Sequence, residues 1–278
     1  MAAAQTRLDA DLYNIRDDSR YDDSEARAIP TGAVELRWPL LSRSGRAAHL
    51  LEPAMQIVWS PDLDDEDRVP NEDSQLVEFD EGNLFALDRL PGRDAVESGL
   101  RANLGVTWTR IDPAGWSLGL TAGRVLRDDP DPAFERYGEV LAGRQSDWLL
   151  SATYSGANGL ALANRALFDS DMNLSRDELR LGWLKPGFEL SAGYLWIDAG
   201  NEPGRDRDVS ELSARTGIQL AAGWWATTDS RYDFVADRAQ KTELGLQYRN
   251  ECVTVDLSLD RRYGGVGGLR GYHRMGHS

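Results

Sequence analysis

The chain has a single cysteine, Cys252, only three histidines, and no stretch long and apolar enough for a membrane-spanning helix, which takes about 18 residues or more. With no second cysteine there is no intrachain disulfide scaffold, and with neither a Cys-x-x-Cys neighbour nor a nearby histidine there is no structural zinc site. The thiol reads as structural, as one half of an intermolecular bridge, or as bridged to a residue outside this sequence. Lacking a membrane helix, the chain is either soluble or a barrel that crosses with strands. The opening residues Met1–Arg7 lack the apolar core of a secretory leader, so the sequence reads as cytoplasmic or as starting beyond its natural N-terminus. Basic residues are scarce, 31 against 46 acidic ones, and the net charge of −15 would repel a phosphate backbone. No nucleic-acid partner is expected.

Plentiful residues point the other way. The sequence has 27 glycines, nine tryptophans and nine tyrosines against six phenylalanines, the usage of a chain rich in strands, turns and interfacial aromatics. Period two dominates. Leu212, Ala214, Thr216, Ile218, Leu220, Ala222 and Trp224 fall on one face, and Glu211, Ser213, Arg215, Gly217 and Gln219 on the other. The same split recurs in Leu100–Thr109 and Val253–Asp260.

About thirteen such segments follow one another, each near the ~10 residues of a membrane-spanning strand. Short links at 43–46, 112–115, 155–158, 185–187, 221–223 and 249–251 alternate with longer, acidic ones at 16–31, 61–97, 127–146, 169–175, 198–209 and 236–240. In an up-and-down membrane barrel every second connection is a short periplasmic turn, so the alternation predicts that topology. Trp59, Trp148 and Trp196 then sit near the long-loop ends, and Trp108, Trp116, Trp183, Trp224 and Trp225 near the short-turn ends, as two aromatic girdles.

The predicted fold class is therefore all-β, an antiparallel up-and-down meander forming part of a large outer-membrane β-barrel. The wall is expected over residues 7–263, with 61–97 as its longest loop and with 1–6 and 264–278 as disordered ends. Leu118, Leu120, Leu150, Leu181, Trp183, Leu190, Tyr194, Ile218, Leu220, Leu246 and Val255 should face lipid. Arg101, Arg180, Glu189, Arg215, Glu243 and Gln247 should face the lumen.

Chemistry-bearing constellations are few. His49 lies within a strand, and His273 and His277 lie in a Gly-rich tail, so no Ser/His/carboxylate grouping assembles and no catalytic centre or cofactor is expected. The acidic run Asp62, Asp64, Asp65, Glu66 and Asp67 lacks EF-hand spacing and reads as solvated surface, with weak divalent-cation bridging as the alternative. Gly264–Gly268 follows no strand-to-helix unit and is a flexible tail, not a phosphate loop. No alternating strand with a terminal aromatic closes the sequence, so the C-terminus reads as truncated or altered.

The longest loop and its flanking strands carry a family signal. His49-Leu50-Leu51-Glu52-Pro53-Ala54-Met55-Gln56 leads into Pro70-Asn71-Glu72-Asp73-Ser74, then Asn83-Leu84-Phe85, Asp88-Arg89, Pro91-Gly92-Arg93-Asp94 and the strand Glu97–Gly105 with Arg101. Together with the hairpin Tyr248–Val255 around Cys252, this resembles the C-terminal barrel portion of the LptD family of lipopolysaccharide-assembly proteins, over about Thr31 to Tyr263. The closest type is alphaproteobacterial, where the family's adjacent cysteine pair is reduced to one.

The resemblance implies an outer-membrane component of the lipopolysaccharide translocon, a transporter and not an enzyme. It implies an LptE-like lipoprotein plugging the lumen, and periplasmic lipopolysaccharide bridge proteins acting through an N-terminal jelly-roll that this sequence does not contain. The family's first barrel strands and closing strand are likewise expected to be missing. Glu52, Pro53, Asn71, Glu72, Asp73, Ser74, Phe85, Arg89, Gly92, Asp94 and Arg101 are the loop and lumen candidates. A general porin and a soluble β-sandwich binding module are the competing readings. A porin would set opposed free charges from loop 61–97 in the lumen, and a sandwich would hide its apolar faces against a second sheet.

Overall fold

Period-two patterning makes strands, and Gly, Asn and Asp end them. The structure, a computed structural model, describes residues 1–16, 21–62, 69–72, 77–131, 134, 139–201 and 206–263. Its strands are β1 (Ala2–Asn14), β2 (Ser24–Arg37), β3 (Leu40–Ser44), β4 (Ala47–Ser60), β5 (Gly99–Asp112), β6 (Trp116–Arg127) and β7 (Trp148–Ser155). They continue with β8 (Leu160–Phe168), β9 (Leu174–Lys185), β10 (Phe188–Ile197), β11 (Val209–Ala221), β12 (Trp224–Asp233), β13 (Arg238–Arg249) and β14 (Thr254–Arg262). A short helix, α1 (Glu139–Ala142), lies in the connection from β6 to β7.

All fourteen strands share one sheet ordered β1-β2-β4-β5-β6-β7-β8-β9-β10-β11-β12-β13-β14, with β3 beside β4 off that path. Every pairing is antiparallel. β2 covers Ala54–Trp59 of β4 and β3 covers Ala47–Leu51, so β3 prolongs the line of β2. The break falls at Trp38–Pro39 opposite Pro53, where two prolines have no N–H for the ladder. Across it, Trp38 N donates to Pro53 O at 2.9 Å. The path thus has the expected thirteen strands.

Two expectations need correction. Residues 2–6 are not a disordered end: Ala2–Thr6 pair with Leu36–Gly32, because Ala2, Ala4 and Thr6 continue the alternation and each has a backbone partner. The connection expected over 16–31 is shorter, since β2 begins at Ser24. The expected tail 264–278 lies outside the described residues.

Because directly paired residues share a face, the register sorts every side chain. Leu118, Leu120, Leu150, Leu181, Trp183, Leu190, Tyr194, Ile218, Leu246 and Val255 fall on one face, and Arg101, Arg180, Glu189, Arg215, Glu243 and Gln247 on the other. Leu220 sits in a bulge between Gln219 and Ala221. The apolar face is bare, with Leu36, Leu244 and Leu259 more than half exposed. Among the described residues no second sheet covers it, which removes the sandwich reading.

The sheet curls toward the polar face. Arg249 of β13 reaches Glu189 of β10 at 2.7 Å, although the register sets Glu189 level with Gly245, so three strand spacings and four residues of a flat sheet would hold their backbones about 20 Å apart.

The tryptophans level the wall. Following the register from Trp196 on β10 through Asp177, Ala166, Leu150, Ala122 and Val106 leads to Pro53 on β4, six strands away and six residues short of Trp59. A girdle that climbs one residue per strand means strands tilted by about 35°, as in outer-membrane barrels. Trp59 and Leu51, the partner of Trp108, stand eight residues apart. That is about 26 Å along the strand and about 21 Å along the membrane normal, close to an apolar band of ~25 Å.

Trp225 departs from its expected place. Consecutive residues of a strand point opposite ways, so with Trp224 on the apolar face Trp225 is buried on the lumenal one, 3.8 Å beneath the Arg249 guanidinium.

Candidate functional site

Between β4 and β5 the described parts of the long loop carry no helix or strand, and they lie against the lumenal face as a belt. Glycine makes the close approach possible. A Cβ on Gly123 of β6 would stand 2.2 Å from Leu84, and one on Gly105 of β5 would stand 3.0 Å from Phe85. Val77, Phe79, Leu84 and Leu90 of the belt join Val125, Leu149 and Leu167 of the wall, with Phe134 and Leu141 from the β6–β7 connection, in one buried apolar cluster. This cluster is what holds the belt against the wall, since each buried large apolar side chain contributes roughly 1.5–3 kcal/mol.

Beside it lies a buried charge centre. Glu97, just before β5, is fully enclosed and receives Arg89 Nη1 at 2.8 and 2.9 Å and Arg127 Nη2 at 2.6 Å, with Arg101 Nε 3.4 Å away. Arg89 also donates to Leu84 O and to Asn103 Oδ1, both at 2.7 Å. Asn103 passes the network to Gln56 at 2.7 Å, and Gln56 to Glu35 at 3.1 Å. Arg101 donates to Ser60 Oγ and to Leu87 O, and Arg127 donates to Leu141 O at 3.0 Å.

Burial alone would raise the Glu97 carboxyl, but the charges of Arg89, Arg101 and Arg127 outweigh it and hold the group below the usual carboxylate range. At Asp88 burial wins. Its carboxyl is pushed up to about 6, although the backbone N–H groups of Glu97 and Leu90 donate to it.

Both ends of the belt are pinned. At one, Asp94 accepts from Tyr13 Oη at 3.1 Å and from Glu72 N at 2.8 Å, while Arg27 donates to the carbonyls of Asp94 and Arg93. At the other, Arg165 of β8 bonds Glu81 at 2.9 and 3.2 Å and lies 3.4 Å from Glu178. The belt therefore crosses the inner wall from β1 to β8.

Of the sequence candidates, Phe85, Arg89, Gly92, Asp94 and Arg101 meet in this belt and its seat, with Gly92 at φ 85° in a turn. Glu52 lies on the lumenal face of β4, bonded by Arg37 at 2.9 Å, and the same Arg37 rests over the Phe85 ring at 5.0 Å. Pro53 faces outward at the strand break, and Asn71 and Glu72 belong to the loop. Asp73, Ser74 and residues 63–68 of the acidic run lie outside the described residues.

Cys252 is free and exposed in the β13–β14 turn. His49 stacks on Trp108 at 5.7 Å, and no hydrogen bond joins it to Ser42, its partner across the ladder.

Sequence reasoning missed the centre itself. Glu97 stood in the motif only as a strand's first residue, yet an acid four residues before Arg101 in extended chain shares its face, and that spacing was the available signal. Arg127, Tyr13 and Arg165 are brought in by the register and could not be picked out from spacing.

Comparison with known proteins gives a consistent result. A family model described as LPS transport system D matches residues 2–203. The LPS-assembly protein LptD of Escherichia coli K12 is 24% identical over 284 residues, covering 94% of this chain and 36% of the relative, and that of Shigella dysenteriae serotype 1 gives the same figures. The chain thus spans about a third of the length of the curated relatives it matches. Among solved structures a mutant of the Rh. blastica porin covers 94% of this chain and 84% of its own at 10% identity, with a TM-score of 0.35. With the family model matching most of its length and a bare apolar face bounded by tryptophans, the chain belongs to the LPS transport system D family and forms outer-membrane β-barrel wall.

Proposed function

We propose that the chain serves the outer-membrane translocon that assembles lipopolysaccharide into the outer leaflet, as barrel wall and lumenal belt. One observation carries the reading: a single curled meander with a lipid-compatible outer face and a wet inner face. A sugar headgroup can pass along such a lumen while the acyl chains stay in hydrocarbon. In this reading an LptE-like lipoprotein seats against the inner wall, periplasmic lipopolysaccharide bridge proteins deliver the cargo, and the role is conduction without catalysis. Asn71, Glu72, Phe85, Arg89, Gly92, Asp94 and Arg101 are assigned to holding the belt, and Glu52 to the wall beside it.

The porin alternative is disfavoured by the belt's charges. Arg89, Glu97, Glu81 and Asp94 are paired against the wall, and these described charges of the loop form no opposed free set across the opening. The test is depletion in the native host, with surface lipopolysaccharide read by labelling intact cells. Surface delivery should fall on depletion, and the LptE-like lipoprotein should co-purify with the protein. Unchanged delivery would refute the translocon reading, whereas a stable pore conducting small solutes without an effect on lipopolysaccharide would favour a porin.

A further inference from the structure

Arginine is unfavourable on a barrel face that meets hydrocarbon and is tolerated only near the polar margins of the bilayer. Along the lipid-facing rows of β4–β12 one cation stands at the outer girdle among the described residues: Arg124 of β6, whose ladder partner is the lipid-facing Leu104. Gly123 pairs with Leu149, so Arg124 is level with Trp148, and its guanidinium lies over the Trp148 ring at 5.0 Å.

The group is braced without being neutralised. Nε donates to Ser146 O at 2.7 Å and Nη2 to Ser170 Oγ at 2.6 Å, which ties the β6–β7 connection to the β8–β9 one. Among the described residues no carboxylate pairs with it. Two acids of those connections are engaged elsewhere, Asp129 by Arg144 at 2.6 Å and Asp169 by the backbone N–H groups of Asp171 and Asn173 at 2.9 and 2.7 Å. Arg124 is only 8% exposed, yet among the described residues its Nη1 is neither bonded nor fully enclosed. The wall thus presents a fixed positive charge with one nitrogen free, on a chain whose net charge is −15.

We infer that Arg124 and Trp148 form a seat for a phosphate monoester of an outer-leaflet glycolipid, bound from the bilayer side of the wall. A guanidinium–phosphate hydrogen bond is charge-assisted, and a side chain already held by two hydrogen bonds and a ring loses little freedom on binding. Level selects the occupant. A lipid whose phosphate meets Arg124 at the girdle lays its acyl chains along Leu120 and Leu150, exposed on the same face toward the membrane interior, whereas a soluble phosphate gains nothing from them. The inference needs the chain to be outer-membrane wall and does not depend on what passes through the lumen.

The test uses the protein from its native host in uncharged detergent, with a photo-crosslinking residue at Gln145, which pairs with Leu126 on the face of Arg124, or at Leu212, on the lipid face of β11. Lipid A carrying its phosphates, or the same lipid stripped of them, is then added. Adducts at Gln145 should be several-fold stronger with the phosphorylated lipid and should fall several-fold in Arg124→Gln, while those at Leu212 should respond to neither change. Equal adducts at Gln145 from the two lipids, or adducts indifferent to Arg124→Gln, would overturn the seat. Full displacement by inorganic phosphate would overturn the lipid as its occupant. The comparison of the two lipids keeps Arg124 in place, so it decides the matter even where Arg124→Gln fails to assemble.

Discussion

The two halves of the inner wall handle charge in opposite ways. On β1–β8 a carboxylate with three guanidiniums is sealed beneath a loop, and its pairs are fully enclosed. On β9–β14 the charges stand in the open, as in Arg180–Glu178, Arg215–Asp229 and Arg249–Glu189. A buried ion that loses its partner costs several kcal/mol, whereas an exposed one re-pairs with water. One half is therefore built to stay as it is, and the other to change partners.

The largest effect should follow from Glu97→Gln, which leaves Arg89, Arg101 and Arg127 crowded without their counter-charge. A cost of about 3–5 kcal/mol is expected, with the belt released from its seat. Limited trypsin digestion of the protein in outer-membrane vesicles should then cut at Arg89, and a variant as resistant as the wild type would contradict the enclosed-charge account. Gly123→Val comes next, because its side chain would occupy the space of Leu84. About 1–3 kcal/mol is expected, measured as a lower unfolding temperature by heat-modifiable mobility.

Acidity should act on the belt through Asp88. Its folded value, about 6, lies above its ordinary one, so between roughly pH 4 and pH 6 the folded state binds more protons than the unfolded state. Stability from this group is accordingly greatest at the acidic end and is lost as pH rises through 6. Trypsin resistance of the belt should fall between pH 5 and pH 7 in the wild type by more than in Asp88→Asn. Equal falls would show that another group is responsible. The smallest effect belongs to the open half: Arg215→Gln should shift thermal stability by less than about 1 kcal/mol, and a large loss would erase the distinction between the walls.

Much of this contrast was legible in one dimension, and part was not. Alternation along Leu212–Trp224 and the rhythm of short and long links specified the meander and its two faces, since period two and loop length are local properties. The same locality misplaced Trp225, where girdle level was read without the face, and residues 2–6, which were placed outside the wall. The candidate site divides likewise. Arg89, Asp94 and Arg101 were visible as motif residues, but their counterparts Arg127, Tyr13 and Arg165 lie on strands far along the chain, and which strand neighbours which, in what register, decides those contacts.

The tilt of the wall sets how much room the lumen offers. A strand leaning by about 35° takes up about 6 Å of circumference in place of its 4.8 Å spacing, so thirteen strands make an arc of about 75 Å. Bent into a ring by itself, that arc would measure about 24 Å across between backbones, and each further strand would widen it. A helix with its side chains needs 10–12 Å. The bore between backbones is therefore about two helix widths, and the side chains of the inner wall, with the belt laid over them, take up part of it.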